Sequence, residues 1–279
     1  STQATRGNVH LWKKAFDTLP GAPSLMYIEQ ERLVSRLLTM HHLRGGTPIT
    51  RMLFDPASEM LLTKYFSDIY GAFSIPDKTG TYLFWALPYG HTMRLQLWKQ
   101  GEYLVSDDGS YRVALTPDAI GEALEKKELI PSLLITFAVL SLYYGVKCLG
   151  GFSQVNYLTF MKEGFSAMLR EMGEEEAAAA CEPVSTKNWS GFTFSFVEAD
   201  AGLLPAMFMD FCLYGDAALW DRMTDLSTRV RLESAVNPML PEIYRYSYSE
   251  SERDPELLTV TESDIVRLTK MEACLRLPG

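Results

Sequence analysis

Histidine and cysteine are scarce in this chain, four of each in 279 residues, and the scarcity removes whole classes of chemistry. Cys148, Cys181, Cys212 and Cys274 lie far apart, three of them in helix-like apolar surroundings. Such thiols suit reduced, buried positions rather than a disulfide framework, and they point to the cytoplasm. No C-x-x-C, H-E-x-x-H or calcium loop is present, so no metal site is expected. His41 and His42 are adjacent and therefore point in different directions on a helix, which does not make a two-ligand face. G-x-G-x-x-G and G-x-x-x-x-G-K-[ST] are also missing, so neither a Rossmann fingerprint nor a P-loop is supported, and any cofactor stays unknown.

Clustered positive charge is absent as well. With 26 Lys and Arg against 35 Asp and Glu, the formal net charge is -9, and no segment gathers the basic residues that a nucleic-acid or anionic-membrane surface requires. The longest apolar stretch, Pro131 to Val146, has 16 residues interrupted by Ser132, Thr136 and Ser141, short of the ~20 needed to span a bilayer. It reads as a core helix. The N-terminal Ser-Thr-Gln-Ala-Thr-Arg-Gly has no signal-peptide core and no initiator Met, so residues 1–8 are expected to be a flexible tail from which an upstream part may be missing.

What is present is an ordinary globular composition, 47% hydrophobic and 22% charged, enough for a sizeable core. Helical spacing predicts helices over 9–19, 29–43, from Asp55-Pro56 to Phe73, over 119–129, and over Leu133 to Val146. Between Gly80 and Leu115 the period becomes alternating, and tight turns imply a four-stranded antiparallel meander. After Gly150-Gly151 an amphipathic helix opens at Ser153 and ends at Gly173. Gly191 to Asp200 reads as a fifth strand joining the same sheet, 237–251 as an ordered loop, and Thr261 to Asp264 as the capping box of a terminal helix. The fold expected is α+β: a largely antiparallel sheet of about five strands covered by helices, with a buried central apolar helix. Residues 9–279 are read as a single globular domain whose weakest seam is 173–183.

Chemistry has few candidates. Glu198 and Asp200 end the apolar row of Phe192, Phe194 and Phe196 on one face of the fifth strand, where one carboxylate can have its pKa raised for acid-base work. The competing reading is a polar turn. His91, in a turn after the first strand, is a candidate acid or base, or else a solvent-facing histidine. Cys148 lies beside a helix start and is a candidate nucleophile, or else a buried apolar thiol. Gly150, Gly151, Ser153, Gln154 and Tyr157 form a glycine joint that offers backbone amides and hydrogen bonds to a ligand, although Ser153 also reads as a helix N-cap and Tyr157 as packing. These candidates frame an enzyme acting on a small, partly apolar molecule by group transfer or hydrolysis. The alternative is a noncatalytic ligand-binding or protein-interaction module, in which the same residues only pack and cap. Oligomeric state and substrate are not legible.

Overall fold

The chain divides into two compact units, residues 28–189 and residues 1–27 together with 190–279. A computed structural model describes residues 2–16, 20–21, 24–188, 196–199, 202–206, 208–248, 250–268 and 276–277. The first helix, α1 (Thr2–Phe16), takes in most of the residues expected to be a tail.

In the unit 28–189 the chain forms α2 (Gln30–Leu37), whose last turn widens into a π-helical segment at Leu38–His42, then α3 (Pro48–Phe54) and α4 (Ser58–Phe66). The helix expected from Asp55 to Phe73 is therefore shorter. Thr47 caps α3 in a capping box with Thr50, ahead of Pro48 at the first helical position. Asp55 ends that helix, while its carboxylate also accepts from the Ala57 amide at 2.8 Å. Beyond Phe66 the chain turns through Asp68, at φ 73°, and Gly71, at φ 83°. It continues into the hairpin β1 (Phe73–Ser74) and β2 (Thr79–Gly80).

The alternating region forms β3 (Phe84–Ala86), β4 (Leu95–Gln100), β5 (Tyr103–Ser106) and β6 (Arg112–Ala114), an antiparallel meander as the turn signals predict. Helix α5 (Pro117–Glu125) starts with Thr116 as its cap, its side chain accepting from Ala119, and with Pro117 at the first position. It does not reach Leu129. Lys127, at φ 61°, breaks it, and β7 (Leu129–Pro131) pairs antiparallel with β3 to complete a five-stranded sheet in the order β6-β5-β4-β3-β7. The fold class is α+β, but the fifth strand of this sheet is β7 and not the segment ending at Asp200.

Helix α6 (Leu133–Phe137) follows, capped by Ser132, and a second π-helical segment runs over Ala138–Tyr143. Leu134, Ile135, Phe137, Ala138 and Val139 are all buried. Helix α7 (Phe152–Glu171) has Gly151 as its N-cap, so Ser153 lies inside the first turn rather than at its start. Gly173, at φ 77°, ends it with two paired bonds, Glu174 to Leu169 at 2.8 Å and Gly173 to Arg170 at 2.9 Å, the arrangement expected of a glycine in the left-handed region. Across the expected seam, α8 (Glu175–Cys181) packs on α7.

Helices α4 and α7 also pack together, closely at Gly164, where a Cβ would lie 2.7 Å from the Tyr65 carbonyl oxygen and 3.3 Å from Phe66 Cε1. Alanine improves helix propensity by about 1 kcal/mol, whereas forcing packed backbones apart costs about 1–3 kcal/mol. The overlap wins. Gly164→Ala is expected to destabilise the protein by about 1–2 kcal/mol, read as a lower urea midpoint; an unchanged or higher midpoint would show that α4 yields freely.

In the unit formed by 1–27 and 190–279, β8 (Phe196–Ala199) pairs antiparallel with β9 (Gly202–Pro205) and parallel with a C-terminal strand at Arg276–Leu277. The described part of the fifth strand read from the sequence, Phe196–Ala199, thus belongs to a separate three-stranded sheet. Next come α9 (Phe208–Tyr214), α10 (Ala217–Arg229) and α11 (Leu232–Val236). Residues expected as a loop instead hold a 3-10 turn at Asn237–Met239 and α12 (Leu240–Ser247). Helix α13 (Glu262–Leu268) starts at the expected box: the Asp264 amide donates to Thr261 Oγ1 at 3.2 Å and the Thr261 amide to Asp264 Oδ2 at 3.0 Å. Among the described residues no helix is long and apolar enough to cross a membrane.

Candidate functional site

An open cleft of about 680 Å³ lies in the unit 28–189, between the turn 68–80, the start of α2 and the junction of β7 with α6. Its floor is set by strand pairing. Trp85 of β3 stands opposite Ile130 of β7, and the Ser132 amide donates to the Leu83 carbonyl at 2.9 Å. Ser132 Oγ then accepts from the Ile135 amide at 3.3 Å, so a capped helix start delivers Leu133 and Thr136 to the cleft.

The wall is a turn held by its own polar groups. Ser74 Oγ lies 2.9 Å from Asp77 Oδ2 and 3.3 Å from Asp68 Oδ1, and the Asp68 amide donates to the Phe73 carbonyl at 3.2 Å. Gln96 of β4 ties the turn to the sheet, its carboxamide donating to the carbonyls of Lys78 at 3.1 Å and Gly80 at 2.9 Å. A Cβ at Gly71 would lie 2.8 Å from Leu133 Cδ2, so a side chain here would have to displace the end of Leu133 at the start of α6. At the sheet end, the Arg94 guanidinium sits 4.1 Å from the centroid of the Trp85 ring, within the range of a cation–π contact. Glu31 and Gln30 of α2 complete the polar rim.

The residues singled out from the sequence fall in several places. His91 is exposed in its turn, its amide donating to Pro88 at 3.1 Å, and is not part of the cleft lining. Cys148 is 8% exposed, and burial pushes its thiol up, with Ser141 opposing in part. The helix start nearby does not give it thiolate character, which is the opposite of what an activated nucleophile needs. At the joint, the Gly150 amide donates to Asn188 at 3.4 Å. The Gln154 carboxamide folds over Gly150, where a Cβ would fall 2.2 Å from Gln154 Cδ. Gly151 and Ser153 are exposed. Tyr157 reaches the cleft wall: its ring packs 5.9 Å from Tyr70, a lining residue, and 5.9 Å from Phe137. Burial raises its phenol pKa. Glu198 stands in β8, opposite Leu203, in the other unit; Asp200, Phe192 and Phe194 lie outside the described residues.

Sequence reading missed Asp68, Ser74, Asp77, Trp85, Arg94 and Thr136. The signal available was the turn Asp68-Ile-Tyr-Gly71, which interrupts a helix running to Phe73, followed by the second turn Pro76-Asp77-Lys-Thr-Gly80.

A second polar cluster sits at His42, which is 0% exposed. Its Nδ1 is 2.9 Å from Thr47 Oγ1 and its Nε2 3.1 Å from the Tyr144 hydroxyl. Tyr143 packs edge-on to the ring at 4.9 Å. Burial, and then the neighbouring His41, lower its pKa to about 4. It is therefore a neutral imidazole at pH 7, joining the ends of the two π-helical segments. Among the described residues no group of His, Cys, Asp and Glu is placed to hold a metal ion. Comparison with protein-family models, with curated proteins and with solved structures finds no match to this chain.

Proposed function

We propose that the unit 28–189 binds a small, partly apolar molecule in the cleft beside Trp85. The observation that carries this reading is the shape and lining of that cleft: about 680 Å³, with Phe73, Trp85, Ile130 and Leu133 beneath a rim of Asp68, Asp77, Arg94 and Glu31. Ligand sites combine an apolar bed with a few placed polar groups in this way. The binding reading is preferred to a catalytic one because His91 and Cys148 do not line the cleft and burial holds the Cys148 thiol in its neutral form. Ser74 is 6% exposed and its hydroxyl is engaged within the turn, which suits a brace better than a nucleophile.

A thermal-shift screen of metabolites on the full chain tests the reading. A ligand present at a hundred times its Kd adds about 2.7 kcal/mol, a rise of several degrees for a chain of this size. The shift is expected to fall in Tyr70→Ala, which removes a side chain already 69% exposed, and to survive in Cys148→Ala. Hits that persist in Tyr70→Ala and disappear in Cys148→Ala or Glu198→Gln would move the site elsewhere. A screen without hits would sink the binding reading.

A further inference from the structure

We propose that the cleft selects a cationic amine on an apolar body, its ammonium group seated at Asp68 and Asp77, with Glu31 and the Thr136 hydroxyl on the same cleft lining. The inference rests on the reading of the cleft as a ligand site and adds the ligand's charge.

Four residues of formal charge line the cleft, three carboxylates against the Arg94 guanidinium, which leaves a net of -2. Among the described residues none of the three carboxylates is in an ion pair: Lys78, next in sequence to Asp77, reaches Asp107 instead, at 3.8 Å. Arg94 is turned onto Trp85. Ser74 stands between Asp68 and Asp77, but a hydroxyl has one proton to donate. The shorter contact, 2.9 Å to Asp77, takes it and leaves Asp68 with unfilled acceptor capacity. Two carboxylates are thus held near each other with a single neutral donor between them. A cation brought between them is attracted by both carboxylates.

Thr136 points independently to a ligand. It is 3% exposed and lines the cleft, yet its hydroxyl has no hydrogen-bond partner among the described residues. Its oxygen is not among the fully buried polar atoms that lack a partner, so it faces open space, where a bound donor can pair with it. An ammonium group offers three N–H donors and accepts none, which matches a lining rich in acceptors. A divalent metal is a poorer match, because the described residues include no group of three or more side chains placed to hold one. The ring of Trp85 and the side chains of Phe73 and Leu133 supply the apolar bed, and Arg94 at the sheet end disfavours a second positive charge there.

Isothermal titration of the full chain compares 2-phenylethylamine and tryptamine with neutral 2-phenylethanol and anionic 3-phenylpropanoate. The amines are expected to bind at least about tenfold tighter than the alcohol, weakening as salt is raised. Asp68→Asn with Asp77→Asn keeps an amide oxygen for Ser74 and is expected to reduce that preference to about twofold or less. Thr136→Val is expected to weaken amine binding about threefold with the urea midpoint little changed. Equal binding of amine and alcohol, or tighter binding of the carboxylate through Arg94, overturns the amine assignment while leaving the cleft as a ligand site. Competition of calcium or magnesium with the amines at equal concentration overturns it in favour of a metal. If none of the four compounds binds, the amine assignment fails, and the metabolite screen then decides whether the cleft reading fails with it.

Discussion

Replacing Gly80 with alanine is expected to destabilise the protein by about 2–4 kcal/mol and to abolish ligand binding in the cleft, measured by urea unfolding and by titration. Gly80 has φ 76° and pairs with Phe73 in the hairpin that walls the cleft. A Cβ there would lie 2.3 Å from the Ala72 carbonyl oxygen, closer than any nonbonded carbon and oxygen can sit. A left-handed conformation costs a residue other than glycine about 1–2 kcal/mol, and overpacking adds about 1–3 kcal/mol. The stiffer unfolded chain returns roughly 0.4–1 kcal/mol, too little to change the sign. Gly71→Ala provides the comparison. Its φ is similar, but its Cβ would meet Leu133 Cδ2 at 2.8 Å, the mobile end of a side chain, so about 1–2 kcal/mol is expected. If the two variants were equally stable, the backbone overlap at Gly80 would not govern the hairpin.

Acidification from pH 6.5 to pH 4 is expected to remove about 3 kcal/mol of stability through His42 alone. Its pKa falls from 6.5 to about 4 on folding, because burial disfavours the imidazolium and His41 adds repulsion. Between those values the unfolded chain binds the proton and the folded chain does not, so stability rises with pH across that window. The contribution is fully present above pH 6.5 and is lost progressively as pH approaches 4. His42→Gln keeps one donor and one acceptor for Thr47 and Tyr144 but cannot titrate. The measurement is urea unfolding of both proteins at intervals from pH 4 to pH 7, in which carboxylate effects are common to the two. The wild type is expected to lose about 3 kcal/mol more than the variant; parallel curves would show that His42 titrates alike in both states.

The elements legible in the sequence were those whose signal is local. Thr116-Pro117 and Thr261 to Asp264 mark helix starts because a hydroxyl or carboxylate three residues from a free amide can reach it whatever the rest of the chain does. Gly173 marks a helix end because only glycine enters the left-handed region without strain. The meander follows from alternation and tight turns, since strands so joined must run antiparallel. The absence of basic clusters and of long apolar runs is likewise a property of the chain itself.

Pairing between distant segments is not written in any one of them. Leu129-Ile130-Pro131 is three residues, too short to show a period, and becomes a strand only because β3 offers it hydrogen bonds. Phe196 to Ala199 has a strand's pattern, but nothing in that pattern says which sheet receives it, and it pairs with β9 rather than with the meander. The cleft belongs to the same class of fact. Asp68 and Asp77 are brought to one serine by a turn, Trp85 and Thr136 reach them through strand pairing and a helix start, and Arg94 is placed by stacking on a ring. Sequence alone determined the composition, the local caps and the strand-and-helix alphabet of this protein. Only the tertiary structure decided which polar groups meet, because that depends on contacts across the chain whose free energy appears when the core closes.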